Sequence, residues 1–140
     1  MKTAKNIYHL VYDLGNLKLA IHNAAVGKKG RTDVKRVLSD VDGYSRVLQD
    51  ILMNNKYRPA PSKEFPINEG SAKKTRTVSK PNFIDLIVQH AVMQVLEPIF
   101  SKGMYIYSCG SVPGRGTLYA KKAVEKWLRN DRKNTKYCLK

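Results

Sequence analysis

Acidic residues are scarce in this sequence: 11 Asp and Glu stand against 26 Lys and Arg in 140 residues, a formal net charge of +15. So large an excess repels itself within a compact chain and favours a polyanionic partner. The cations are distributed among apolar residues rather than gathered into a tail, which indicates a folded basic surface. Nucleic acid is therefore the first candidate partner, ahead of a membrane surface and of a basic structural protein without such a partner.

Cysteine, histidine and long apolar runs are also sparse. The 2 cysteines and 3 histidines neither make a disulfide framework nor show metal-ligand spacing, which favours a reducing, cytoplasmic setting. No run approaches the ~18 apolar residues that span a bilayer. Because His9 and Asp13 interrupt the apolar residues near the start, no signal peptide is expected. The sequence thus predicts a cytoplasmic chain without a membrane partner.

Clustered carboxylates are missing too. Enzymes that transfer phosphoryl groups with two metal ions bring several acidic side chains together around ions ~3.5–4 Å apart. Here the acids are isolated, and the closest pair, Asp40 and Asp42, has the position of a helix cap. No Ser/His/Asp or Cys/His set is recognisable, so we predict no catalytic residue and no metal ligand in this chain.

Several segments carry apolar residues at helical spacing. The clearest is Ile84–Ile99, whose apolar stripe predicts a core-facing helix that Asn82 caps and that Pro98 breaks or kinks. Gln89 and His90 are its polar residues of interest. Two further helices are predicted at residues 6–25, as one helix or two, and at residues 32–38 with Thr32 as the cap. A third runs from Asp40 or Asp42 to Asn54, and its predicted buried face is Tyr44, Val47, Leu48, Ile51 and Leu52. A fourth is capped by Thr117, and its predicted buried face is Ala120, Ala123, Val124, Trp127 and Leu128.

A two-stranded hairpin is predicted between these helices. Three prolines between Tyr57 and Gly70 exclude a helix there. Phe65–Asn68 is then the first strand, Gly70–Ala72 the turn, and Lys73–Ser79, rich in β-branched residues, the second strand. The cations near its tip, which suit either a triphosphate or a nucleic-acid backbone, are Lys73, Lys74 and Arg76.

Two basic, glycine-containing loops accompany the hairpin. The loop Gly27–Arg31 (GKKGR) is either a solvated turn or a phosphate contact. The loop Gly110–Gly116 (GSVPGRG) precedes a helix and resembles an anion site, since exposed amides and a helix N-terminus favour negative charge. It is not a Walker loop, because the GK[ST] ending is absent.

The order of these segments resembles a known family. In sequence they are K-x-R at Lys74–Arg76, Asp85 before IVQHA at Ile87–Ala91, LEPIF at Leu96–Phe100, Ser108 with Gly110, and PGRG at Pro113–Gly116. This order is similar to the N-terminal part of bacterial reverse transcriptases, of the group II intron, retron and diversity-generating retroelement kinds. One such motif is weak, whereas several in the right order are specific, and the likeness runs from about Asn16 to the end of the chain.

The resemblance implies an α+β fold: the helix-rich fingers of a right-hand polymerase with a small β-hairpin, ending in the first palm strand at Lys136–Lys140. It implies three parts. Residues 1–56 are a helical lead-in, residues 57–116 hold the hairpin, the amphipathic helix and the Gly/Pro/Arg loop, and residues 117–140 hold a helix and a truncated palm strand.

The resemblance also implies a fragment of an RNA-directed DNA polymerase, inactive alone. Its partners would be an RNA template, a DNA primer, a dNTP and the palm and thumb of the enzyme, and Mg²⁺ would be bound by acids of the complete enzyme. The alternative is a stand-alone basic RNA-binding module without catalysis. The residues that the resemblance assigns are Lys73, Lys74 and Arg76 for the nucleotide, and Gln89, Gly114, Arg115 and Gly116 for template and primer.

The sequence departs from the family pattern at two places. Leu86 stands where the family usually has Arg, and Ser111 and Val112 stand where it usually has Phe and Arg. Both changes remove a positive charge. Weaker template contacts are therefore expected at these positions.

Overall fold

A computed structural model describes residues 4–69 and 74–137 of the chain, and the side chains of the two residues that border the gap lie outside the description. Within that part the fold is α+β, with six helices and one two-stranded antiparallel sheet. This confirms the coarse fold class. The elements are α1 Tyr8–Val11, α2 Leu14–Ala25, α3 Thr32–Leu38, α4 Val41–Met53, β1 Lys63–Glu69, β2 Lys74–Lys80, α5 Phe83–Ser101 and α6 Thr117–Asn130.

The chain divides into two compact units, residues 1–100 and residues 101–140. The hydrophobic core lies in the first unit and is built by α2, α3, α4 and the first half of α5, together with one residue of α1. Its fully or nearly fully buried apolar members are Val11, Leu17, Ala20, Ile21, Ala24, Ala25, Val34, Val37, Leu48, Leu52, Phe83, Ile87, Val88 and Ala91.

The predicted first helix is two helices, and the break falls at Tyr12–Asp13. Asp13 accepts a hydrogen bond from the Asn16 amide at 3.1 Å and so caps α2, which satisfies one of the free N–H groups at a helix start. The Asn16 side chain then joins three helices. Its Nδ2 donates to the carbonyls of Val11 and Ala91, at 3.0 Å each, and its Oδ1 accepts from Gln94 at 2.6 Å.

The next two helices follow their predicted bounds closely, with corrections at single residues. Arg31, not Thr32, occupies the cap position of α3, because Thr32 already has helical backbone and makes no cap bond. Asp40 caps α4 through the Gly43 amide at 2.9 Å. Val47 is exposed rather than buried, because α4 turns the small Ser45 side chain into the core instead.

Helix α5 begins as predicted, with Asn82 accepting from the amides of Ile84 and Leu86 at 3.4 and 3.0 Å. Pro98 does not end it, since α5 continues to Ser101. A proline removes its N–H bond to the preceding turn and crowds the carbonyl four residues earlier, and α5 has only three residues beyond Pro98. Its 19 residues and mean hydropathy of 1.3 would by length and composition alone let α5 cross a membrane. Core helices pass the same test, and the first half of α5 lies in the core.

The second unit holds α6 and the loops before it. Its predicted buried face is not buried: Val124, Trp127 and Leu128 are exposed, and α6 has no buried residue. The cap position belongs to Gly116, and Thr117 is the first helical residue. Tyr105–Cys109 consists of turn and irregular structure. Most of the predicted palm strand lies outside the described residues.

We expect Asn16→Asp to lower the free energy of unfolding by about 1–3 kcal/mol, because a carboxylate oxygen would face the carbonyls of Val11 and Ala91 where the amide now donates. Urea unfolding followed by circular dichroism measures this. Gln89→Glu makes the same amide-to-carboxylate change at an exposed position of α5 and should leave the midpoint unchanged. Equal midpoints for the two variants would contradict the bridging role of Asn16.

Candidate nucleic-acid interface

The hairpin of β1 and β2 has two chemically different faces. Its register pairs Lys63 with Lys80, Phe65 with Val78 and, further along, Ile67 with Arg76. Residues directly opposite each other in an antiparallel pair point to the same side. One side, here called the hairpin face, therefore carries Lys63, Phe65, Ile67, Arg76, Val78 and Lys80. The other side carries only polar residues and a proline: Glu64, Pro66, Asn68, Thr75, Thr77 and Ser79.

The hairpin face is exposed along its length. Phe65 and Ile67 are 40% and 43% exposed and Val78 is 36% exposed, so these apolar side chains are not part of the core. Cations flank them, with Lys63 and Lys80 at the open end of the hairpin and Arg76 toward the tip. An apolar middle between two cationic ends suits a single-stranded nucleic acid, whose bases stack on apolar and aromatic groups while its phosphates contact Lys and Arg.

A buried carboxylate fixes the base of the hairpin. Asp85, in the first turn of α5, is only 6% exposed. It accepts hydrogen bonds from the Tyr57 hydroxyl at 2.6 Å and from the Ala60 amide at 3.1 Å. An isolated hairpin is only marginally stable. These two bonds hold the segment before β1 against the helix that follows β2, so both ends of the hairpin are tied to the core.

The Tyr57 hydroxyl stays a proton donor over a wide pH range. Burial, and then the hydrogen bond to Asp85 and the charge of that carboxylate, raise the pKa of Tyr57 above its ordinary value. Ionising Tyr57 would place two negative groups in contact at a partly buried site. The Tyr57 hydroxyl therefore remains available as the donor of this contact through the neutral range.

A basic cavity of about 330 Å³ lies beside the open end of the hairpin. Its cationic members are Lys63, Lys80 and Arg31, the last from the end of the GKKGR loop. We call it the base pocket. It is lined by Arg31, Asp33, Pro61, Lys63, Lys80, Pro81 and Asn82. Within it the Arg31 guanidinium binds the Asp33 carboxylate through Nε, at 3.0 Å, and through Nη2, and this bond lowers the pKa of Asp33.

The structure places the predicted nucleotide-binding residues as follows. Lys73 lies outside the described residues. Lys74 is the first residue of β2, and its side chain is not described. Arg76 is exposed on the hairpin face, opposite Ile67. Of the three predicted cations, Arg76 is thus the one with a described side chain on this surface.

The predicted template and primer residues fall in both units. Gln89 is exposed on α5 in the first unit. In the second unit, Gly114 has a positive φ of 75°, a conformation that favours glycine. Arg115 is half-buried and donates to the Tyr105 carbonyl at 3.3 Å. Gly116 is the N-cap of α6. The Gly/Pro/Arg loop is therefore a structured loop that Arg115 ties to the aromatic turn before it.

Five carboxylates of the described residues are engaged separately. Asp85 binds Tyr57 and Ala60, Asp33 binds Arg31, Asp42 binds Lys18, and Asp13 and Asp40 cap helices. In residues 4–69 and 74–137 no group of three or more His, Cys, Asp or Glu could hold a metal ion. These residues do not fit the Mg²⁺ ions of a polymerase active site, and we derive no catalytic step from them.

Sequence reasoning did not single out Lys63 and Lys80. The first strand was predicted to begin at Phe65, whereas β1 begins at Lys63 and pairs it with Lys80. A first strand two residues longer and a second strand one residue longer than predicted would have included both lysines. The position of Arg31 beside them depends on how α3 packs, which no local pattern in the sequence indicates.

We expect the stability of the folded chain to fall at high pH through Tyr57. The raised pKa means that the folded state favours the neutral phenol, so this stabilisation is complete below pH about 10 and is lost as the pH rises further. Tyr57→Phe should flatten the alkaline decline in urea midpoint, while Tyr137→Phe, at a position 95% exposed, should not. Equal declines for wild type and Tyr57→Phe would contradict the assignment.

Comparison with curated proteins gives a partial likeness. No protein-family model matches the chain. The chain is similar to Protein YkfC of Escherichia coli (strain K12), with 30% identity over 80 residues. The match covers 57% of this chain and 21% of YkfC, so it spans about a fifth of that relative. It supports a relationship over those residues and carries no activity over to this chain.

Proposed function

We propose that this chain is the fingers part of an RNA-directed DNA polymerase of the reverse transcriptase kind, and that it binds template and incoming nucleotide. The observation that carries the proposal is the hairpin face, an exposed apolar surface between cationic ends on a hairpin fixed to a helical core. The order of motifs from K-x-R to PGRG, described above as a resemblance, supports the same proposal.

The charge of the chain supports a polyanionic partner. A net charge of +15 on 140 residues attracts nucleic acid and makes binding steeply dependent on salt. In the first unit, basic side chains occur at both ends of the hairpin face and in the base pocket. Four acidic side chains of that unit bind a cation or cap a helix, and the cations, which remain in excess, set the local potential.

Two roles divide along the hairpin. Its tip, with Lys74 and Arg76, holds the triphosphate, because a guanidinium fork and an ammonium group match phosphate oxygens. Its middle, with Phe65, Ile67 and Val78, contacts bases. Phosphoryl transfer belongs to carboxylates outside the residues described here, so the 140-residue chain binds substrates without joining them.

The test is a binding measurement on the 140-residue chain in a salt series. We expect a labelled single-stranded RNA to bind with a slope of log affinity against log salt of about −3, as for four phosphate contacts in a single strand. A dNTP should also bind, and Arg76→Ala should weaken the dNTP more than the RNA. Lys122→Ala, an exposed cation on α6, is the control for lost charge.

The outcomes separate the alternatives. RNA binding without any dNTP binding would replace the polymerase proposal with a stand-alone RNA-binding module. RNA affinity that hardly changes with salt would reject both. Primer extension by the chain alone would contradict the placement of catalysis outside it.

Phe65→Ala should lower the affinity for single-stranded RNA about tenfold, within the range of 1–3 kcal/mol per stacked base. The salt slope should not change, because no charge is lost, and the folded state should keep its stability because Phe65 is half-exposed. Phe100→Ala, at a residue 54% exposed near the end of α5, is the matched control. Equal affinities for the two variants would show that bases do not lie on the hairpin face.

A further inference from the structure

The base pocket holds two like charges on neighbouring strands. Lys63 and Lys80 stand directly opposite each other on one face of the sheet, and like charges in that position destabilise a hairpin. In the part of the chain that the structure describes, neither ammonium group has a hydrogen-bond or ion-pair partner. An anion seated between them would remove the repulsion.

Arg31 adds an oriented third cation. Asp33 holds its guanidinium through Nε and Nη2, which leaves the Nη1 donors available for another acceptor. The pocket lining thus carries three cations and one carboxylate, a net excess of positive charge. Because Asp33 already fixes the fork, an incoming anion need not order it, and this lowers the entropic cost of binding.

The walls of the pocket are stiff. Pro61 precedes β1 and Pro81 follows β2, and the ring of each fixes its backbone φ. Asn82, which also lines the pocket, is held by its bonds to the first turn of α5. The lysine backbones are therefore preorganised at the base of the hairpin, although their side chains reach solvent.

We infer that the base pocket binds a backbone phosphate of the single-stranded nucleic acid whose bases lie on the hairpin face. This inference rests on the proposed function and adds to it a specific phosphate site that includes the GKKGR loop. Of the two alternatives for the GKKGR loop, a solvated turn or a phosphate contact, this inference favours the phosphate contact, made through Arg31.

A polymer fits this site better than a free nucleotide. Lys80 and Arg76 are four residues apart on β2, about 13 Å at the rise of an extended strand. Between them lies the apolar middle of the hairpin face. A phosphate in the base pocket is therefore too far from the tip to belong to a dNTP whose contiguous phosphates Arg76 holds, whereas the backbone of a strand whose bases lie on the apolar middle reaches the pocket.

The test uses two double variants of the 140-residue chain and a fluorescein-labelled oligouridylate of about 12 nucleotides. Lys63→Gln with Lys80→Gln should reduce the steepness of the salt slope by about 1.4, the value for two contacts to a single strand. Arg31→Gln with Asp33→Asn removes an ion pair at constant net charge. It should still weaken binding several-fold, because it removes the guanidinium from the site.

Each variant has a matched control in the same unit. Lys35→Gln with Arg36→Gln removes two exposed cations of α3 that do not line the pocket. Lys18→Gln with Asp42→Asn removes another surface ion pair at constant charge. Both controls should bind RNA nearly as the wild type does. Urea midpoints confirm folding, and the Lys63/Lys80 variant should be at least as stable as the wild type without RNA, since it loses a repulsion.

The outcomes distinguish the two proposals. If the wild type binds RNA with steep salt dependence but the pocket variants behave like their controls, the pocket inference is wrong and the proposed function stands. If the wild type fails to bind RNA, both fail. If the pocket variants lose dNTP binding and keep RNA binding, the pocket belongs to the triphosphate and the inference is overturned.

Discussion

The carboxylate of Asp85 lies at the point where the hairpin meets the helical core, and it accepts hydrogen bonds from Tyr57 and Ala60. A buried carboxylate without such partners would cost several kcal/mol. The hairpin itself contributes little to its own position, since both of its faces are exposed. Its orientation therefore depends on this contact and on the short link from Lys80 to α5.

The residues that stabilise the fold therefore differ from those proposed to bind the ligand. The core of α2, α3, α4 and α5 is apolar and well covered, and the Asn16 side chain joins α1, α2 and α5 through the carbonyls of Val11 and Ala91 and the Gln94 side chain. The hairpin keeps phenylalanine, isoleucine and valine side chains in solvent and sets two lysines against each other. Neither feature stabilises the free chain. Both favour a ligand that is apolar in places and anionic in others, as a single-stranded nucleic acid is.

The second unit also exposes apolar side chains that do not contribute to a core. Helix α6 exposes Val124, Trp127 and Leu128 on one face, and the loop before it is held by hydrogen bonds to backbone carbonyls. An apolar helical stripe predicts a buried face only when something covers it. Within the described residues no other segment buries this stripe. The sequence therefore predicted the helix and its apolar stripe correctly, but the prediction that the stripe is buried was wrong.

The sequence by itself determined the helices, the hairpin and the apolar stripes, because the signals for these are local: spacing of apolar residues, prolines, β-branched residues and capping side chains. It also determined the charge, and with it the class of partner proposed. Tertiary structure decided which residues meet. The burial of Asp85 against Tyr57 and the position of Arg31 beside Lys63 and Lys80 depend on packing between segments distant in sequence. No local pattern encodes such contacts, because they follow from how the whole core excludes water.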